Sequence, residues 1–173
     1  MILTGPAIAA ELQRDRITID PFDPALLNPN SVNYRLGPAL RVHRSAVIDP
    51  LADHPTDEII IPAGGIVLQP RRIYLGTTLE RIGSAYYVPS LIGRSSLSRL
   101  GVFLQISADL GNLGAVHRWT LEIVAVQPIR LYTGMIVGQI SFWVPHGVVP
   151  SYDGHFGRFS TAVTPPPRLL TTA

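Results

Sequence analysis

A chain of 173 residues with 46% hydrophobic side chains and a mean hydropathy of +0.25 is long enough to bury one sizeable core. Its formal net charge of +2 is too small for a nucleic-acid footprint, and no basic run is interleaved with aromatics. No run of about 18 apolar residues reads as a membrane span and Met1 to Pro6 carry no secretory pattern, so the expected location is the cytoplasm. Cysteine is absent, which removes disulfides and thiolate metal sites. All 14 basic residues are arginine, so no lysine is present for a Schiff base or a point-charge phosphate grip.

In chain order, residues 5–16 place Ile8, Ala9 and Leu12 among polar neighbours, with Thr4 as cap and Pro6 early, and predict one short amphipathic helix. Short strands are predicted at 17–19, 31–36, 39–43, 58–61, 66–69, 73–77, 86–89, 102–107, 118–125, 129–131 and 136–143. The turns between them draw on 15 glycines and 16 prolines. Many short strands with one helix predict an all-β barrel or jelly-roll-like fold. Residues 1–145 read as this β domain. Residues 146–173, rich in Gly, Pro, Ser and Thr, with Pro165 to Pro167 extended, read as a C-terminal arm, either flexible or closing over an active site.

The chemistry-bearing stretch is Gly93-Arg94-Ser95-Ser96-Leu97-Ser98-Arg99-Leu100-Gly101. Two arginines and adjacent hydroxyls on a glycine-bounded turn make an anion-binding surface, because the guanidinium fork matches phosphate. Further on, Glu122 falls between Leu121 and Ile123 of an alternating strand. An inward carboxylate there is either paired or functional. The purely structural alternative is an ion pair with Arg99 or Arg118. Burial raises the pKa of such a group and a nearby Arg99 lowers it, so the pattern leaves the direction open. His43, His54, His146 and His155 lack metal-site spacing and read as surface residues, and His117 as an exposed turn histidine. Trp119 and Trp143 read as core or subunit-contact aromatics.

Gly93 to Gly101 resembles the signature loop of the dCTP deaminases, which share the trimeric dUTPase-like β fold. Ser31 to Gly37 is similar to that family's S-V-D-x-R-L-G, Thr77 to Glu80 to its T-x-E segment, and Tyr132 to Gln139 to its late P-G-M-x-I-G-Q turn and strand. The four matches fall in the family's order. The resemblance implies a homotrimer with active sites between subunits that converts a cytosine nucleotide to the uracil nucleotide and releases ammonia. It implies no zinc and no required cofactor. The missing cysteines agree, since the H-x-E…C-x-x-C zinc deaminase site cannot be built. Magnesium is expected only as a companion of bound polyphosphate, with no metal ligand assigned on the chain. By the same resemblance Glu122 activates water for attack on C4 and then protonates the leaving ammonia. Ser95 and Arg99 hold and polarise that water and orient Glu122. The backbone carbonyl of Ala108 anchors the same water, while Arg94 and Ser96 grip phosphate oxygens.

The chain departs from the family pattern around the sugar and the phosphates. Where the family carries I-D-P-G-W/Y-x-G, residues 111–117 read Gly-Asn-Leu-Gly-Ala-Val-His. Asn112 replaces the aspartate that meets the sugar hydroxyl, and Ala115 replaces the aromatic that stacks on the deoxyribose, which implies opened space. A carboxamide is not a general base, so Asn112 argues against dUTP diphosphatase activity. Asn33 stands for the aspartate of S-V-D. In the arm, Tyr152 keeps the family's tyrosine and Arg158 is the candidate for its missing lysine. The expectation is a cytosine-nucleotide deaminase with altered sugar or phosphate preference. The alternative is a non-catalytic or repurposed nucleotide-binding member of the same fold.

Overall fold

The computed structural model describes residues 1–104, 108–148 and 152. Helix α1 spans Gly5–Gln13, with Thr4 extended at its cap and Ile8 fully buried. It stops three residues short of the expected end because Asp15 turns the chain at a φ of 54°. Glu11 points inward from α1 to Tyr87, whose hydroxyl donates to Oε2 at 2.8 Å, and to Arg14 at 2.6 Å.

The strands are β1 (Thr18–Asp20), β2 (Val32–Arg35), β3 (Ala39–His43), β4 (Thr56–Ile60), β5 (Ile66–Leu68), β6 (Ile73–Thr77), β7 (Arg81–Gly83) and β8 (Val88–Gly93). One helical turn, α2 (Ser95–Ser98), precedes β9 (Val102–Leu104), β10 (Val116–His117), β11 (Thr120–Ala125), β12 (Ile129–Leu131) and β13 (Ile136–Trp143). The mostly-β expectation holds, and β3, β6, β12 and β13 occupy the expected bounds. Two differences bear on the site. The strand expected at 86–89 runs on to Gly93, since β13 offers it antiparallel partners from Val88 to Gly93. The arginine-serine turn closes into α2 instead of staying a loop.

These strands form four sheets, ordered β1-β7-β10, β4-β3-β6-β11-β9, β12-β5 and β2-β13-β8. Alternating side chains from the five-stranded sheet and from β2-β13-β8 meet in one core that includes Val32, Tyr34, Leu40, Leu91, Leu121, Ile123, Ile140 and Phe142. Chain-distant strands dominate the pairing. Gln139 of β13, for example, lies between Asn33 of β2 and Ile92 of β8.

Candidate functional site

Arg94 is extended at the start of α2, and its carbonyl accepts the amides of Leu97 and Ser98, both at 3.0 Å. The Ser98 hydroxyl donates to the same carbonyl at 3.1 Å. Leu97 anchors the turn in the core at 3% exposure. Gly101 ends it at a φ of +86°, a conformation that favours glycine, and a Cβ there would meet Cγ2 of Val126. Anchored this way, α2 leaves Ser95, Ser96 and Arg99 exposed and Arg94 half-buried. Arg94, Ser95, Ser96 and Arg99 thus sit on one turn.

β8 leads into this turn and organises a second stretch beside it. The Leu91 amide donates to the Asp109 carbonyl at 2.7 Å, and the Gly111 amide to the Pro89 carbonyl at 2.8 Å. The antiparallel direction of this pairing sets exposed Ala108 toward the Ile92 end of β8 and Asn112 toward the opposite end. Asn112 is exposed. Five residues of strand separate Pro89 from Arg94, about 16 Å at the usual rise. Ala115 contradicts its expectation. It is 3% exposed and its carbonyl packs against Gly83, so no open space lies at its side chain.

Glu122 also sits differently from the alternation argument. Leu121, Ile123 and Ala125 take the core face of β11, and Glu122 shares the opposite, half-covered face with Thr120 and Val124. Its Cα partner on β6 is Leu75. Burial raises its pKa above the ordinary 4.5, which settles the direction that sequence left open. α2 lies at the far end of the same strand. The Val126 amide donates to the Gly101 carbonyl at 2.9 Å, and Gln127 Nε2 to the Leu100 carbonyl at 3.2 Å.

His117 is buried at 7% exposure, against its expected place on an exposed turn. Its ring lies 4.3 Å from that of Trp119, and Nδ1 donates to the Arg118 carbonyl at 2.8 Å. Trp119 Nε1 donates to the Ile82 carbonyl at 2.9 Å. The indole fits because Gly111 has no Cβ to strike it.

Sequence reasoning gave Thr78 and Glu80 no role. Glu80 is 1% exposed and accepts from Arg35 twice, from the backbone amide at 2.9 Å and from Nε at 2.6 Å. The T-x-E segment and the S-V-N-x-R strand are thus each other's partners. A glutamate and an arginine recurring in two separate short motifs were the available signal. Among the described residues, no group of three His, Asp or Glu side chains could hold a metal ion. Tyr152 is half-buried, and Arg158 lies outside the described residues.

The fold is mostly β, with an arginine-serine turn and a half-buried carboxylate on a strand. The model of the dCTP deaminase-like family matches residues 2–144, and the chain belongs to that family. It is 43% identical over 171 residues to a "dCTP deaminase, dUMP-forming" of Clostridium acetobutylicum, covering 98% of this chain and 96% of that one. The protein of the same description from Hathewaya histolytica is 41% identical over 165 residues, 95% of each chain. A "dCTP deaminase" of Rhodopirellula baltica is 43% identical over 150 residues, 87% of this chain and 75% of that one. The crystal structure of 2'-deoxycytidine 5'-triphosphate deaminase from Agrobacterium tumefaciens shares the fold, with a TM-score of 0.66 at 24% identity over 86% of this chain. The chain spans about half of that one, 49% of its length.

Proposed function

We propose that this protein is a hydrolytic, zinc-independent deaminase of cytosine nucleotides. Water oxygen bonds to C4 of the base, the C4–N bond breaks, and ammonia leaves as the uracil nucleotide forms. Glu122 takes the proton from the attacking water and delivers it to the departing amine. The observation that carries this reading is Glu122 itself, a half-buried carboxylate whose pKa burial raises toward the working pH of a general base. Ser95 and Arg99 hold and polarise the water, and the Ala108 carbonyl fixes it. Arg94 and Ser96 take the phosphates, with Arg158 of the arm as a further cation and Tyr152 at the arm's start. Magnesium enters only with the substrate's phosphates.

The working unit in this reading is a homotrimer with active sites between subunits. The separation along β8 supports it, because one chain presents the phosphate turn and Asn112 at opposite ends of a strand. Asn112, a carboxamide on an exposed turn, supports an altered sugar or phosphate preference. Ammonia release from CMP, dCMP, CTP and dCTP, each with wild type and Glu122→Gln, tests the whole reading. Release by wild type and its loss in the variant, with binding kept, supports catalysis. Binding without turnover on every nucleotide supports the non-catalytic alternative, and a strong preference for dCTP defeats the altered preference.

The relatives' names favour a second reading of the product. Two are named as dUMP-forming, which calls for diphosphate removal as well as deamination. Asn112 offers no base for that second hydrolysis, so our reading expects the phosphates to be retained. Chromatography of the products from dCTP separates dUTP from dUMP.

A further inference from the structure

Thr78 is fully buried, with 0% exposure, in the turn after β6. Its hydroxyl works in both directions. It donates to the Glu80 carbonyl at 2.7 Å and accepts the Trp119 amide at 3.0 Å. The Thr78 amide in turn donates to the Trp119 carbonyl at 2.9 Å. One residue therefore holds both main-chain polar groups of Trp119, at the point where β11 begins. The turn is itself anchored. The Leu79 amide donates to the Arg35 carbonyl at 2.7 Å, and Glu80 grips Arg35 through both carboxylate oxygens.

The other end of Trp119 faces a different part of the site. Its indole lies against Gly111 and the His117 ring and is tied to the Ile82 carbonyl. Residues 111–117 carry Asn112, and Glu122 follows Trp119 by three residues on β11. The indole thus braces the 111–117 segment, while the backbone of the same residue, held by Thr78, leads into the strand that carries Glu122.

We propose that Thr78 and Trp119 form a positioning clamp that holds the Glu122 carboxylate and the Asn112 turn in one mutual geometry. This rests on the deaminase reading above. Neither residue needs to touch the substrate. Thr78 fixes where β11 departs, and Trp119 transmits that placement to the 111–117 segment. A misplacement of about 1 Å at a catalytic group costs a large rate factor even when folding survives.

The test is steady-state ammonia release from cytosine nucleotides by Thr78→Val and Thr78→Ser. Valine keeps the shape and removes both hydroxyl bonds; serine keeps the hydroxyl. The expected result is a kcat about tenfold lower in Thr78→Val with KM within about twofold. The acid limb of its kcat–pH profile moves as water reaches Glu122, and Thr78→Ser restores both. A lower Tm in Thr78→Val with kcat and pH profile unchanged overturns the clamp, since a merely structural role would do only that. If Thr78→Val does not fold, Trp119→Phe decides. It keeps a ring against Gly111 and drops the bond to Ile82, and an unchanged kcat and nucleotide preference overturns the proposal. Wild type with no turnover on any cytosine nucleotide rejects the deaminase reading and the clamp with it. An active wild type alongside an unaffected Thr78→Val rejects the clamp alone.

Discussion

The burial that makes Glu122 costly to the folded state at neutral pH is also what suits it to the proposed chemistry. Burial makes its ionised form costly, so its folded pKa lies above its unfolded value. Whatever stability the group contributes is present below the ordinary carboxylate range and lost as pH rises through the folded pKa. Glu122→Gln therefore raises Tm at pH 7, and the difference from wild type fades below about pH 4, as thermal melts across pH will show. The same substitution lowers kcat by about 10²–10⁴-fold, the usual worth of a general acid/base, while nucleotide binding stays close to wild type. In wild type the acid limb of kcat falls above the ordinary carboxylate pKa of 4.5. A limb at or below that value would remove Glu122 as the titrating base.

Two short elements decide how the site is presented. α2 is a single turn, too short to persist by itself, and it is held by Leu97 below and Gly101 behind. Gly101→Ala forces a side chain into a left-handed backbone at a cost of roughly 1–2 kcal/mol and drives a Cβ into Val126. We expect a lower Tm and weaker nucleotide binding together, because the displaced turn carries Arg94 and Arg99. A Tm drop with unchanged nucleotide Kd would separate the turn from the ligand. At the other end of the chain, α1 is tied down by Glu11, whose carboxyl is held below its usual range by the Tyr87 hydroxyl and then by Arg14. A depressed pKa of this kind contributes stability above the ordinary carboxylate range and loses it as pH falls through the folded value. Glu11→Gln accordingly lowers Tm at pH 7, and the gap to wild type narrows as both are acidified toward pH 3.

At the scale of the whole molecule, the four-sheet arrangement spreads the candidate residues. The arginine-serine turn and Ala108 lie toward one end of β8, Asn112 toward the other, and Glu122 belongs to a different sheet. If sites form between chains, the protein elutes with three times its 18.8 kDa chain mass, as light scattering on a sizing column will show. A mixing experiment then tests the sharing directly. In the proposed mechanism Ser95→Ala and Glu122→Gln each lose activity alone. In random heterotrimers a site that draws these two residues from different chains recovers about a quarter of wild-type activity. No recovery would place Ser95 and Glu122 of one chain in the same site.

The mostly-β class, the strands β3, β6, β12 and β13 and the arginine-serine turn were all legible in the sequence. Each rests on local order, namely alternation along a strand or residue types packed into a few positions. β7 and β10 were not legible, being three and two residues long, shorter than any period can declare. The helical form of α2 depends on Leu97 finding the core, which local pattern does not declare. The orientation of Glu122 was misread for a related reason. Alternation says that Leu121 and Glu122 face opposite ways, and only the partner sheets decide which way is in. Ala115 and His117 followed the same rule, since their burial is set by Gly83 and Trp119, which approach from elsewhere in the chain. By itself the sequence determined which groups are available for chemistry: two arginines with neighbouring hydroxyls, the Glu122 carboxylate, and no thiol or lysine. The tertiary structure decided which groups stand together, how dry Glu122 is, and that Thr78 and Trp119 tie its strand to the Asn112 turn. Those outcomes depend on contacts between segments far apart in sequence, and local pattern carries no record of them.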